Sequence, residues 1–452
     1  MNGYEKIKRL AKEKKCNIPE LLVLARQNDP FFTGSDTNKA MAEWFVDVVY
    51  NQYGGTNGLH LRKVHYRLVT LANIKKHNGE VYENTENDWG YICNAGKYAR
   101  HLGLINPGAL LDQRNPEPHI FNNYEILTEP SWDYDFPEWD MPRIETNLTT
   151  DLYWRIPDYY IHGYDYHEEL QPYHTEVWIE KSTMNDELIP LCRRYGVNLV
   201  TGLGFMSIKS VVELINRIIA AQKPCKILYI SDFDPGGLGM PTAVARQIEY
   251  YLSTHDLNLD IKLEPIMLTK EQAVKYKLPR TPIKDSDRRK GNFEEIYGQG
   301  AVELDALSAL YPGEFQKIVK GYIQEFRDEK LVKKMYEAYE EADEELSGWW
   351  ESWIEPHQKE LDNLSGKVEE IVNNYKGRLE ELNGQMEAEI EPYNEEINAV
   401  RQAIQTKLDS LIVEIPALPE AKIEPEKDDW LFDSSRDYFT QLAVYKDKKQ
   451  GK

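Results

Sequence analysis

Between residues 174 and 255 short apolar runs alternate with helix-period segments, a pattern best satisfied by a parallel sheet covered on both faces. The runs are Thr175-Glu-Val-Trp-Ile-Glu180-Lys181, Asn198-Leu-Val-Thr-Gly202-Leu-Gly204-Phe and Lys226-Ile-Leu-Tyr-Ile-Ser-Asp232-Phe-Asp234-Pro-Gly-Gly237. Helical segments are predicted near 185–194, 208–221 and 241–252. Such sheets bind ligands beyond the carboxyl ends of their strands, which is where Glu180, Asp232 and Asp234 fall. Side chains on a strand repeat every second residue, so the two aspartates point the same way. Like charges held together repel unless a cation separates them, and hard carboxylate oxygens are the ligands that Mg²⁺ prefers. The plainer alternative is a polar strand-to-loop junction.

An acid after the first strand, a glycine turn after the second and Asp-x-Asp-x-Gly after the third together resemble the Toprim domain of topoisomerases, primases and some nucleases. The match spans roughly residues 174–255. Its wording is most similar to the topoisomerase VI A subunit and its meiotic double-strand-break relative, of the Mini-A type that occurs without a B subunit. The resemblance implies that Glu180, Asp232 and Asp234 bind metal. It also implies a winged-helix domain upstream that carries a nucleophilic tyrosine.

Leu61-Arg62-Lys63-Val64-His65-Tyr66-Arg67 resembles the family's Arg-x-x-(aromatic)-Tyr element, with Lys63 in place of a usual acid and His65 in place of a usual aromatic. Tyr66 is thereby the expected nucleophile. Arg62 lies one helical turn earlier, on the same face. A free phenol has a pKa near 10, so about one in a thousand is ionised at pH 7, and a guanidinium both favours the phenolate and holds a phosphate oxygen. Against this stands a core tyrosine on an amphipathic helix, one of 29 in the chain.

The activity implied is Mg²⁺-dependent double-strand cleavage of DNA by transesterification, leaving a 5′-phosphotyrosyl link. In this family the tyrosine of one protomer meets the metals of the other, so a homodimer is implied. Two further readings stand beside it. One is a hydrolytic Toprim nuclease of the plasmid-defence type, with Tyr66 structural; the other is a non-catalytic DNA-binding adaptor.

The expected fold class is α/β plus α, in five stretches. A basic helical segment (1–36) precedes a winged-helix domain (37–135) with helices near 37–50, 60–74 and 89–102. There Lys97, Arg100 and His101 are expected to face outward, and Arg114 to lie on a wing turn at 112–116. A Toprim domain (136–330) follows, with a basic loop carrying Arg288 and Arg289 and two more acids, Glu303 and Asp305, which either approach the metals or decorate a helix terminus. Between 361 and 411 apolar residues recur at spacings of three and four, which predicts an acidic coiled-coil or helical arm (331–412), broken by Gly366, Gly377, Gly384 and Pro392. Such an arm is either a dimer or partner-protein interface or an intramolecular hairpin. A linker and a carboxyl-terminal helix (413–452), capped at Ser434 or Ser435, complete the chain.

A net charge of −22 is unusual for a DNA-binding chain, yet residues 331–430 hold 26 acids against 10 Lys and Arg, a balance of −16. Most of the excess therefore lies outside the part expected to meet phosphates, and surface charges farther apart than about 8 Å are screened at physiological salt. The four cysteines are scattered, which argues for a reducing cytoplasm and against a zinc ribbon. No apolar run approaches a membrane span, the first residues lack a signal-peptide core, and no phosphate-binding G-x-x-x-x-G-K-[S/T] motif is present.

Overall fold

The computed structural model describes residues 2–51, 58–71, 73–110, 116–124, 128–138, 154–202, 204–375, 383–423 and 429–451. The chain divides into two units, one of residues 1–124, 168–328 and 421–452, the other of 125–167 and 329–420. Residues 136–167, expected within the Toprim stretch, thus cluster with the arm. Strands and helices are numbered along the chain. β1 (Ser131–Asp135) and β2 (Asp158–His162) belong to the second unit, and β3 (His174–Ile179), β4 (Asn198–Thr201), β5 (Cys225–Ile230), β6 (Ile261–Met267) and β7 (Phe432–Asp433) to the first.

The first unit is built on a mostly parallel sheet of order β4-β3-β5-β6-β7, in which only β7 runs antiparallel. Helices α1 (Gly3–Lys14), α2 (Asp36–Phe45), α3 (Leu61–Thr70) and α4 (Glu86–His101) precede it. α5 (Asn185–Arg194), α6 (Ile208–Ala221) and α7 (Met240–His255) are its crossovers; α8 (Lys270–Lys275), α9 (Lys290–Tyr297), α10 (Leu304–Leu310) and α11 (Glu314–Glu325) follow.

β5, Cys-Lys-Ile-Leu-Tyr-Ile, is buried at every position, as a central strand covered on both faces requires. Alternate residues feed two cores. Trp178, Val200, Ile227, Tyr229 and Leu263 pack with α6, α7 and α1 on one face, whereas Val177, Ile179, Leu199, Leu228 and Ile230 pack with α5, α10 and α11 on the other. Each such fully buried side chain contributes roughly 1.5–3 kcal/mol. The chain steps outward from β3 to β4 over α5, then reverses across β3 to β5 over α6; keeping right-handed crossovers through that reversal moves the helix to the opposite face.

α1, within the expected basic helical segment, buries Ile7 and Ala11 in the first of these cores. A third core gathers α2, α3 and α4 around Phe45, Val64, Leu68, Ile92 and Ala99. A tight hairpin bridging Lys75 and Val81 separates α3 from α4. The expected wing turn lies largely outside the described residues, and Arg114 with it.

The carboxyl-terminal helix begins later than expected. Phe432 and Asp433 are extended and pair with β6, the Ser434 hydroxyl accepts the Ile261 N–H (2.8 Å), and α15 (Tyr438–Lys449) is capped by Asp437, which accepts the Phe439 and Thr440 N–H groups. Trp430 packs into the core on one face of the sheet, whereas Leu431 and Phe432 pack into the core on the other.

The second unit comprises the β1–β2 hairpin with α12 (Leu331–Trp353), α13 (Glu355–Tyr375) and α14 (Asn383–Asp409). Lys407 lies over Trp353, Lys367 over Tyr393, and Tyr375 bonds Glu389, so α13 and α14 run antiparallel as an intramolecular hairpin. Leu361, Leu364, Val368, Met386, Ile390, Ile397 and Ile404 form its seam. Gly366 and Pro392 lie inside helices instead of ending them. Among the described residues no helix is long and apolar enough to cross a membrane.

Candidate functional site

The reversal of strand order falls between β3 and β5, and in open α/β sheets the crevice at such a point is where ligands bind. Glu180 directly follows β3; Asp232 and Asp234 follow the adjacent strand β5. The Asp232 N–H donates to Glu180 Oε2 (3.3 Å) and the Leu304 N–H donates to Asp232 Oδ1 (2.7 Å). Asp234 Oδ1 accepts the Gly237 N–H at 2.5 Å. Gly237 is obligatory, because a Cβ there would stand 2.0 Å from the Asp232 carbonyl oxygen. Phe233, between the two aspartates, turns into the core beside Phe293 and Tyr297, which leaves both carboxylates on the other side.

A reciprocal pair of backbone bonds between Phe233 and Val302 draws the next segment alongside. Glu303 is consequently the N-cap residue of α10 and Asp305 lies in its first turn, which is the helix-terminus arrangement, not a strand. Both nonetheless reach the site. The Lys181 ammonium joins Asp232 (2.7 Å), Asp305 (2.9 Å) and Glu303.

The electrostatics are those of an acid cluster short of positive charge. Burial, and then the charges of Asp232 and Asp234, push the Glu180 carboxyl up to about 8. Burial pushes Asp232 up to about 6 against the pull of Lys181 and the Leu304 N–H. Lys181 is held above the ordinary lysine value, because its three carboxylate partners outweigh burial. Arg289 lies beside Asp234, although its guanidinium is paired with Asp287 (2.8 and 2.9 Å). Arg288 is exposed on the same loop, and Arg280 clamps the carbonyls of Tyr297, Gly298, Gln299 and Gly300.

Among the described residues no three acid, histidine or cysteine side chains stand close enough together to enclose an ion. In donor type and charge demand, however, Glu180, Asp232 and Asp234 suit a hard cation: all offer carboxylate oxygens, and Glu180 is short of a compensating charge.

Tyr66 and Arg62 lie on the exposed face of α3, and not in this cluster. Tyr66 is 56% exposed, while Val64, His65 and Leu68 fill the buried face, so Tyr66 is not a core residue. Arg62 is also exposed, with its guanidinium 5.4 Å over the Trp89 ring. His65 is buried and bonded to Tyr82 (2.6 Å) and Asn84 (3.2 Å), a structural role.

The outward recognition face expected of α4 is corrected at its end. His101 is buried against Tyr250 and Tyr251, and burial lowers its imidazole to about 3. Lys97 is drawn to the Gln27 carbonyl and burial lowers it to about 8. Arg100 is half-buried. A helix packed on one face by α2 and at its end by α7 has little free surface left.

Fold and site together define a doubly wound α/β protein with an acid-lined switch-point crevice. No family model matches the chain, and no curated protein matches it. Sequence reasoning gave no role to Lys181 or to Asp287, although a lysine directly after the strand-ending glutamate was a readable signal.

Proposed function

We propose that the chain is a Mg²⁺-dependent DNA-cleaving protein of the topoisomerase VI A-like kind, with a winged-helix domain around α2–α4, a Toprim domain around β3–β6, and action as a homodimer. The observation that carries this reading is the placement of Glu180, Asp232 and Asp234 at the β3–β5 switch point, with Glu180 raised to about 8. Glu180, Asp232 and Asp234 would hold Mg²⁺, which when bound stabilises charge developing on phosphate oxygens. Asp234 is pre-set by the Gly237 N–H and Asp232 by the Leu304 N–H, so both are oriented before substrate arrives. Lys181 offsets the acids in the resting protein, and Arg288 and Arg289 flank the crevice as phosphate contacts. The exposed Tyr66 phenol attacks a DNA phosphodiester; the phosphorus–oxygen bond to the 3′ hydroxyl breaks, and Tyr66 retains the 5′ phosphate.

The stacking of Arg62 on Trp89, away from a role beside the phenol, favours a second reading in which water is the nucleophile and Tyr66 only a surface residue. Labelled duplex incubated with the protein and Mg²⁺, then denatured, separates the two. Transesterification leaves label on the protein, and Tyr66→Phe abolishes both adduct and cutting. Cutting that survives in Tyr66→Phe, with no adduct in the parent, selects hydrolysis.

A further inference from the structure

Phe205 leaves 51% of its surface in water. A single exposed phenylalanine is ordinary on a protein surface; the seat of this one is not. It follows Gly204, whose φ of +103° only glycine adopts freely and whose N–H faces the Glu180 carbonyl at 3.4 Å. On the other side its ring reaches the turn that follows Asp234, with Cζ 3.9 Å from where a Cβ on Gly239 would stand. Met206 and Ile208 are buried immediately after it, and Ser207 caps α6 by accepting the Ser210 N–H (3.1 Å). An aromatic face therefore stands at the rim of the carboxylate crevice, between the turn that follows β4 and the turn that follows Asp234.

We propose that Phe205 stacks on an unpaired base of the DNA strand that enters the crevice, so that the site prefers DNA with a bulged or unstacked nucleotide to fully paired duplex. This rests on the DNA-cleavage reading above. Base–aromatic stacking is sequence-tolerant, because every base has a π-face, and a phenylalanine with only two side-chain torsions loses little freedom on contact.

The test uses the full chain and a duplex with 2-aminopurine in a one-base bulge, beside the fully paired duplex, in Mg²⁺ and in EDTA. The expected result is quenching of the 2-aminopurine emission on binding. Phe205→Ala should weaken affinity for the bulged duplex about tenfold and lose the quench, with less than a twofold change for paired duplex, while Phe205→Trp retains both. Equal affinity and quench in the parent and Phe205→Ala overturn the stacking role alone, provided the parent binds and cuts DNA. A parent that neither binds nor cuts either duplex overturns the stacking role and the cleavage reading together.

Discussion

Two glutamates four residues apart, one within β3 and one just beyond its end, have opposite environments. Near the start of the strand Glu176 is fully buried, yet Arg217 grips it at 2.6 and 2.9 Å, His174 approaches at 2.8 Å and the Trp178 indole N–H donates at 2.8 Å. Against the upward push of burial, Arg217 and His174 hold it well below the usual carboxylate range. At the far end Glu180 meets the same push with two aspartates as neighbours, and rises to about 8. Burial is common to both; the partners decide. A carboxylate whose every lone pair is met belongs to the scaffold, whereas one surrounded by its own kind is complete only when something else arrives.

The largest effect that would sharpen this contrast is on stability. Glu176→Gln leaves the Arg217 guanidinium without its counter-charge and should cost about 3–5 kcal/mol in urea unfolding. A loss below about 1 kcal/mol would erase the distinction between the two ends. Asp232→Asn should do the reverse, lowering cleavage about 10²–10³-fold, with unfolding changed by less than about 1 kcal/mol, because asparagine can still accept the Leu304 N–H. Full activity in that variant would remove the crevice from the chemistry.

What the sequence made legible follows from how local each signal is. β3, β4, β5 and their helices were readable because buried parallel strands are short apolar runs and their crossovers carry a clean 3.6 period; α5 and α6 fall where expected. The site acids were readable for the same reason, since strand ends fix their direction. Long-range pairing was not readable. Phe432 and Asp433 join β6 from more than 160 residues away, so a reading of 413–452 as linker and helix missed a strand that only its partner defines. His101 sits on what sequence alone presents as the outer face of α4, and only the arrival of α7 makes that face interior. Lys181 was in plain view beside Glu180, but its three acidic partners come from β5 and α10.

A smaller effect tests Glu180 itself. Its folded value of about 8 lies above the ordinary 4.5, so between those pH values the folded protein holds a proton that the unfolded chain has lost. Stability linked to this group is therefore present at low pH, declines as pH rises through that window and levels off above about 8. Glu180→Gln should flatten the slope and, at pH 8, make the protein more stable by on the order of 2 kcal/mol, a figure reduced for partial solvent screening. Unfolding followed from pH 5 to 9 measures both; an unchanged slope would mean that Glu180 is not strained.

The smallest expected effect joins the two ideas. A cation that needs the ionised Glu180 competes with its proton, so apparent Mg²⁺ affinity should tighten by up to about tenfold per pH unit below 8 and then become flat. At a Mg²⁺ concentration ten times the dissociation constant the folded state gains only about 1.4 kcal/mol, enough to move a thermal midpoint measurably. The gain should grow from pH 6 to pH 8, disappear on adding EDTA and be lost in Glu180→Gln. Glu176→Gln, measured at a temperature where it remains folded, should keep the pH-dependent Mg²⁺ increment, because Glu176 lies toward the other end of the strand and is already satisfied by Arg217. If that increment is lost from Glu176→Gln and kept in Glu180→Gln, the assignment of scaffold and ligand roles along β3 is inverted.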